Sequence, residues 1–136
     1  MPHKYARLFA MAFRPAFFAC IVLLALLSWL PGDEMVRTGV NGRIEHVMAY
    51  FGTAIIMALA YRERPRLLVQ FFRIGVLAGI FEVGQLYVPG RTAAFFDFAA
   101  GSAGAALGCL SMWVLRPRLL GYSGLDRLKS RVRLTR

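Results

Sequence analysis

Acidic residues are scarce. The 136-residue chain holds seven Asp and Glu against seventeen Lys and Arg, a formal net charge of +10. Charge of both signs is thin as well: 18 % of residues, where soluble domains run near ~25 %. Cysteine is almost absent, and Cys20 and Cys109 lie in separate apolar runs with neither a CxxC nor ligand spacing. That excludes a disulfide framework and a Cys-ligated zinc site, and both thiols read as small buried apolar groups. No metal and no cofactor is expected. The chain has no internal repeat and no low-complexity tract.

What is abundant is apolar surface. Hydrophobic residues make up 58 % of the chain, and the mean hydropathy is +0.55. Disorder is excluded for most of the sequence by that content. A chain this short also cannot hide so much apolar surface from water unless lipid or partner chains cover it. The pI of about 10.8, taken alone, would point to nucleic acid. Position argues against it. The basic residues gather in the flanks and one short loop, with long uncharged runs between them, the pattern of a membrane protein. No nucleic-acid partner is expected.

A bilayer core of about 30 Å takes about 20 helical residues to cross. Four segments have that character: residues 15–30, with 9–13 available to extend them, then 44–61, 67–88 and 92–115. Pro15 suits a first helical turn, where no backbone donor is needed. Pro31-Gly32 and Pro89-Gly90 end the first and third helices. The expected fold class is therefore all-α, a polytopic bundle of four transmembrane helices. It divides into a basic N-terminus over 1–14, a membrane domain over 15–115 and a basic tail over 116–136. Lys4, Arg7 and Arg14 precede the first span as they would in a signal peptide. Its exit, Ser28-Trp29-Leu30-Pro31, has no small-x-small cleavage site, so the segment is expected to remain as a span.

Lys and Arg near helix ends set orientation. Lys4, Arg7 and Arg14, the loop residues Arg62, Arg64 and Arg66, and seven residues of the tail number thirteen; Arg37, Arg43 and Arg91 on the opposite side number three. Both termini should be cytoplasmic. Arg73, inside the third span, is expected to snorkel to the headgroups on that side. In the tail, Ser123 and Asp126 fit a capping box. Leu125, Leu128 and Val132 then share one face among Arg127, Lys129 and Arg131. This reads as a short helix lying on an anionic leaflet, with a disordered basic tail as the alternative.

The candidate site consists of polar groups at membrane depth: His46, Tyr50, Glu82, Gln85 and Asp97, with Arg91 in the turn between the last two helices. A charged group at the bilayer centre costs about 2.5–3.5 kcal/mol on the insertion scale, which makes a functional or pairing role the default. Their depth agrees. His46 and Tyr50 begin the second span, Glu82 and Gln85 close the third, and Asp97 opens the fourth, so alternating helices bring them to one end. Their facing agrees too. Glu82 continues a stripe with Gly75 and Gly79, and Asp97 one with Gly101, Gly104 and Gly108. Gly75-xxx-Gly79 and Gly104-xxx-Gly108 are spacings at which membrane helices approach closely. His46, Tyr50 and Thr53 form a matching stripe on the second span, with Glu45 on a rival one beside Ala49 and Gly52. The plainer expectation is structural: Asp97 pairs with Arg91, Glu82 with His46, Gln85 caps a carbonyl, and nothing binds. Against it, a buried ion pair rarely adds net stability.

These residues resemble a known family. The string from Glu82 reads E-x-x-Q-x-x-x-P-G-R-x-x-x-x-x-D, followed by Gly104 and Gly108, with His46-x-x-x-Tyr50 upstream. This is similar to the VanZ-like family of small bacterial membrane proteins, across about half the chain. Two departures stand out. Gly42-Arg43 replace the family's Asp-Lys ahead of the histidine, and Gly101 replaces an Asn four residues after the aspartate. The resemblance implies a multi-pass protein of the bacterial inner membrane, in a family named for glycopeptide-antibiotic resistance. It implies little about reaction type.

Three functions compete. The first is a site for the headgroup of an envelope lipid, such as a polyprenyl-phosphate or glycolipid. Arg91 and the N–H groups opening the fourth helix would take an anion there, and Glu82, Gln85 and Asp97 would take hydroxyl or amide groups. The second is a hydrolase or transferase acting on a lipid-linked substrate, with His46 and Glu82 or Asp97 as acid and base. The third is an assembly protein, homo-oligomeric or mated to a partner membrane protein, whose polar residues are structural. A transporter is a weaker fourth, since four helices would have to dimerise.

Overall fold

The structure is a computed structural model that describes residues 3–34, 39–61 and 67–119. It is all-helical in its regular structure, with α1 over His3–Trp29, α2 over Gly42–Ala60, α3 over Leu67–Gln85 and α4 over Phe95–Leu119. Each of the four contains a stretch long and apolar enough to cross a membrane. The chain is a four-helix membrane bundle, as its hydropathy predicts. The capping box of the tail and the loop arginines Arg62, Arg64 and Arg66 lie outside the described residues.

Three boundaries differ from the sequence reading. Pro15 does not open the first helix but lies inside α1, which crosses the expected domain limit at residue 14. The reason lies in Leu8 to Phe13, a run of apolar residues and two alanines that carries the helix back through good helix formers. Membrane helices tolerate an interior proline. At the other end of the fold, α3 stops at Gln85 rather than at residue 88. The amides of Leu86, Tyr87 and Val88 reach back three residues, to Val83, Gly84 and Gln85, which tightens the exit into a 3₁₀-like turn. Gly90 then reverses the chain at φ 71°, a conformation suited to glycine. Finally, α4 opens at Phe95 instead of residue 92 and runs four residues past 115.

The helices alternate in direction. α1 and α3 finish where α2 and α4 begin, and this is termed the polar end; the opposite end, where α2 finishes and α3 begins, is the basic end. α2 and α4 form the closest pair. Gly104 of α4 lies on the backbone of Val47, and a Cβ at Gly108 would come 2.6 Å from the Phe51 carbonyl oxygen. α1 packs on α2 and more loosely along α3, and α3 packs on α4. Ala54, Met57, Ile74, Ala105 and Cys109 fill the centre. Large apolar side chains such as Leu26, Phe72, Phe95 and Trp113 cover the outside, the surface that a spanning helix turns to lipid or to a partner helix. The glycine stripe expected on α3 is not a contact seam. Nothing lies within 4 Å of a Cβ at Gly75, and Phe98 meets one at Gly79 at an ordinary 3.7 Å.

Candidate functional site

All six candidate residues lie towards the polar end, but the structure sorts them into two groups. The first ties α1, α3 and the 86–94 turn together. The last carbonyls of a helix have no partner within it. At the end of α1, an Nη2 of Arg91 donates to the Leu27 carbonyl. Gln85, buried in the last turn of α3, donates through Nε2 to the Ser28 hydroxyl at 3.0 Å. Trp29 donates its indole N–H to the Phe81 carbonyl at 3.3 Å and meets the Phe81 ring edge-on. The indole fits because position 84 is glycine: a Cβ there would run into Trp29. Gly32 donates to the Pro89 carbonyl at 3.2 Å, closing the strap.

Glu82 belongs to the same framework. Its Oε1 accepts from the backbone N–H of Ala94, the residue before α4, whose own carbonyl receives the first helical bonds from Asp97 and Phe98. A carboxylate here faces the positive end of the helix dipole. The anion-binding start expected for this helix is thus engaged by the chain's own side chain, and not left entirely to an external phosphate.

The second group is more open and lies between α2 and α4. Asn41 caps α2 by accepting from the Arg43 amide at 3.0 Å. The Arg43 guanidinium then lies over the Phe96 ring, 4.9 Å from its centroid, and its Nε is 3.9 Å from Oδ1 of Asp97. The two side chains remain 62 % and 33 % exposed. His46 places Nδ1 3.0 Å from the Gly42 carbonyl of its own helix. A carbonyl only accepts, so this bond puts a hydrogen on Nδ1 and leaves the Nε2 edge without a bond inside the chain. One turn deeper, Tyr50 is buried with its ring against Gly101, where a Cβ would meet it at 2.9 Å. Its ring centroid is 6.4 Å from that of His46, and the Glu82 carboxylate lies within electrostatic reach of its phenol. Tyr50 and Glu82 therefore join the two groups.

The expected pairings are revised accordingly. Asp97 meets Arg43 rather than Arg91, because Arg91 turns back to α1. Glu82 meets the Ala94 amide rather than His46, and His46 bonds within its own helix. No hydrogen bond links His46 to Glu82 or Asp97. Thr53, expected on the same stripe, donates to the Ala49 carbonyl at 2.8 Å and is satisfied inside α2. Gln85 caps a hydroxyl and not a carbonyl. Sequence reasoning passed over Ser28, Trp29 and Arg43 as site residues. The interfacial tryptophan was the available signal for the first two, and Asn41 as a helix cap just ahead of Arg43 for the third. Among the described residues no group of three His, Cys, Asp or Glu side chains is placed to hold a metal ion. No family model, curated protein or solved structure matches the chain.

Proposed function

We propose that this chain is a bacterial inner-membrane protein with both termini in the cytoplasm, and that its polar end receives the headgroup of an anionic envelope lipid or glycolipid from the periplasmic side. The orientation rests on the thirteen-to-three distribution of basic residues. The ligand class rests on one arrangement. A half-open Arg43–Asp97 pair has its guanidinium over Phe96, with His46 one helical turn along α2 from Arg43 and Tyr50 a turn deeper. Arg43 presents a planar guanidinium suited to phosphate or carboxylate. Asp97 offers acceptors to sugar or glycerol hydroxyls, the Nε2 edge of His46 offers a further polar contact, and Phe96 offers a flat apolar floor. The VanZ-like string of Glu82, Gln85, Pro89-Gly90-Arg91 and Asp97 supports the same setting. Mass spectrometry of lipids retained by the purified protein tests it. Arg43→Ala should lose an anionic species that wild type holds, and Asp97→Asn, which frees the guanidinium from its carboxylate, should not lose it. Wild-type lipid content in Arg43→Ala would remove the reading.

A second reading is favoured by the strap at the end of α1. Arg91, Gln85 and Glu82 each hydrogen-bond to another element, so these three serve as braces of an assembly or scaffold protein. Under it, Arg91→Ala and Gln85→Ala lower stability, while the Arg43 variant changes neither stability nor retained lipid.

A further inference from the structure

The basic end carries a feature of a different kind. A groove of about 400 Å³ opens between α1 and α3, with Phe17 and Ile21 on one wall, Met57 and Tyr61 as the floor, and Arg73 and Val76 on the other wall. The volume falls within the ~300–1,000 Å³ range of small-molecule sites. It exists because α1 and α3 pack loosely against each other while both contact α2. Tyr61 is held in place by two neighbours. Phe17 meets its ring edge-on at 5.7 Å, and the Arg14 guanidinium lies over it at 5.7 Å. An otherwise apolar groove thus has cations on two sides, Arg73 in the wall and Arg14 at the floor residue.

Among the described residues no acid lies at the end that holds those cations. Asp33, Glu34, Glu45, Glu82 and Asp97 are the acids among the described residues, and the topology carries every one of them to the polar end. Arg73 is the seventh residue of α3, about 9 Å of helix rise from its start. An exposed guanidinium at that depth beside apolar walls draws a negative group to itself. In sequence, the connection from Tyr61 to α3 holds three arginines, Arg62, Arg64 and Arg66, and one acid, Glu63. The tail of the chain is no candidate to fill the groove, since residues 120–136 hold one acid, Asp126, against five Lys and Arg.

We infer that this groove holds an anionic glycerophospholipid of the leaflet at the basic end, one acyl chain lying between α1 and α3 and its phosphate drawn between Arg73 and Arg14. The site is independent of the headgroup reading for the polar end. It rests on the groove and on the charge segregation, and makes no use of Arg43 or Asp97. The lipid would complete the packing that α1 and α3 do not make with each other.

The test uses the full chain in nanodiscs of phosphatidylcholine with increasing phosphatidylglycerol, read by the thermal unfolding midpoint and by lipids retained after delipidating washes. Wild type should gain stability in a saturable way at low phosphatidylglycerol content and retain that lipid several-fold over phosphatidylcholine. Arg73→Gln should abolish most of the gain, Arg73→Lys should keep part of it, and Arg43→Ala should leave it intact. Val76→Trp keeps both arginines and fills the groove, so it decides the matter even where Arg73→Gln fails to fold. Retention of phosphatidylglycerol by Val76→Trp at the wild-type level would overturn the proposal. So would equal retention of the two lipids by wild type, an equal gain from inorganic phosphate, or a dimer that protects the groove from labelling in pure phosphatidylcholine.

Discussion

Gly104 and Gly75 present the same small-residue pattern in sequence, and the structure predicts opposite outcomes for the same substitution. At Gly104 an added methyl would enter the backbone of Val47, with the Val47 carbonyl oxygen nearest. A side chain can rotate away from such an intruder, whereas a helical carbonyl cannot. α2 and α4 would have to separate along their whole seam, where Gly101 and Gly108 are also tight against Tyr50 and Phe51. Overpacking of this kind costs about 1–3 kcal/mol. Alanine returns up to about 1 kcal/mol through helix propensity. With the full return, the net expectation for Gly104→Ala is a loss of up to about 2 kcal/mol. At Gly75 nothing lies within 4 Å, so only the propensity gain remains and Gly75→Ala should be neutral or stabilising. Both variants can be compared with wild type by thermal unfolding in one detergent, with folded fraction followed by size-exclusion. A Gly104→Ala protein as stable as Gly75→Ala would refute the α2–α4 packing described above.

The braces at the polar end give further expectations. Glu82→Ala leaves the Ala94 amide without its acceptor, a loss of about 1–3 kcal/mol. Glu82→Gln keeps an acceptor oxygen and gives up only the charge at the start of α4, about 0.3–1 kcal/mol; equal unfolding midpoints for the two would mean that the hydrogen bond carries nothing. A double-mutant cycle on Ser28→Ala and Gln85→Leu should yield a coupling near the ~0.6 kcal/mol average for interhelical bonds in membranes, and additivity would show that the 3.0 Å contact is incidental. Arg43→Ala should change stability by less than about 1 kcal/mol, as exposed ion pairs do, and its effect should appear in retained lipid instead. A large drop in unfolding midpoint for that variant would move Arg43 from the open group to the braces.

Four spans could be read from hydropathy because apolar content and helix length are properties of the sequence alone. Partners could not, because they depend on which helices touch. Periodicity placed Glu82 and Asp97 towards one end and on inward stripes, and both are half-buried there. It could not say that Arg91 would turn back to Leu27, since that bond spans 64 residues and depends on α1 ending where α3 ends. The same holds for the glycines. Spacings of four residues look alike on α3 and α4, yet only α4 faces a neighbour whose backbone comes close enough to need them. Pro15 was misplaced by a local rule applied without context: a proline fits a first turn, but in lipid the helix has no better alternative than to continue through it.

The acceptance of Ala94 by Glu82 also bears on how the two readings of the polar end relate. A carboxylate that only braced could be replaced by a neutral cap, because the orphan amide needs an acceptor and not a charge. A carboxylate that also shapes a binding site would be needed for its charge as well as for its acceptor. Glu82 does the first while lying within electrostatic reach of Tyr50, which in turn stacks towards His46 in the open group. An anion arriving at the open group would meet the negative charge of Glu82, which the Ala94 amide at the start of α4 holds in position. Bracing fixes the geometry of that field, and recognition at the open group would depend on it. On this basis Glu82→Gln should alter lipid retention more than stability, whereas Gln85→Leu, which touches only the strap, should alter stability more than retention. The opposite ordering would leave the polar end as a brace alone.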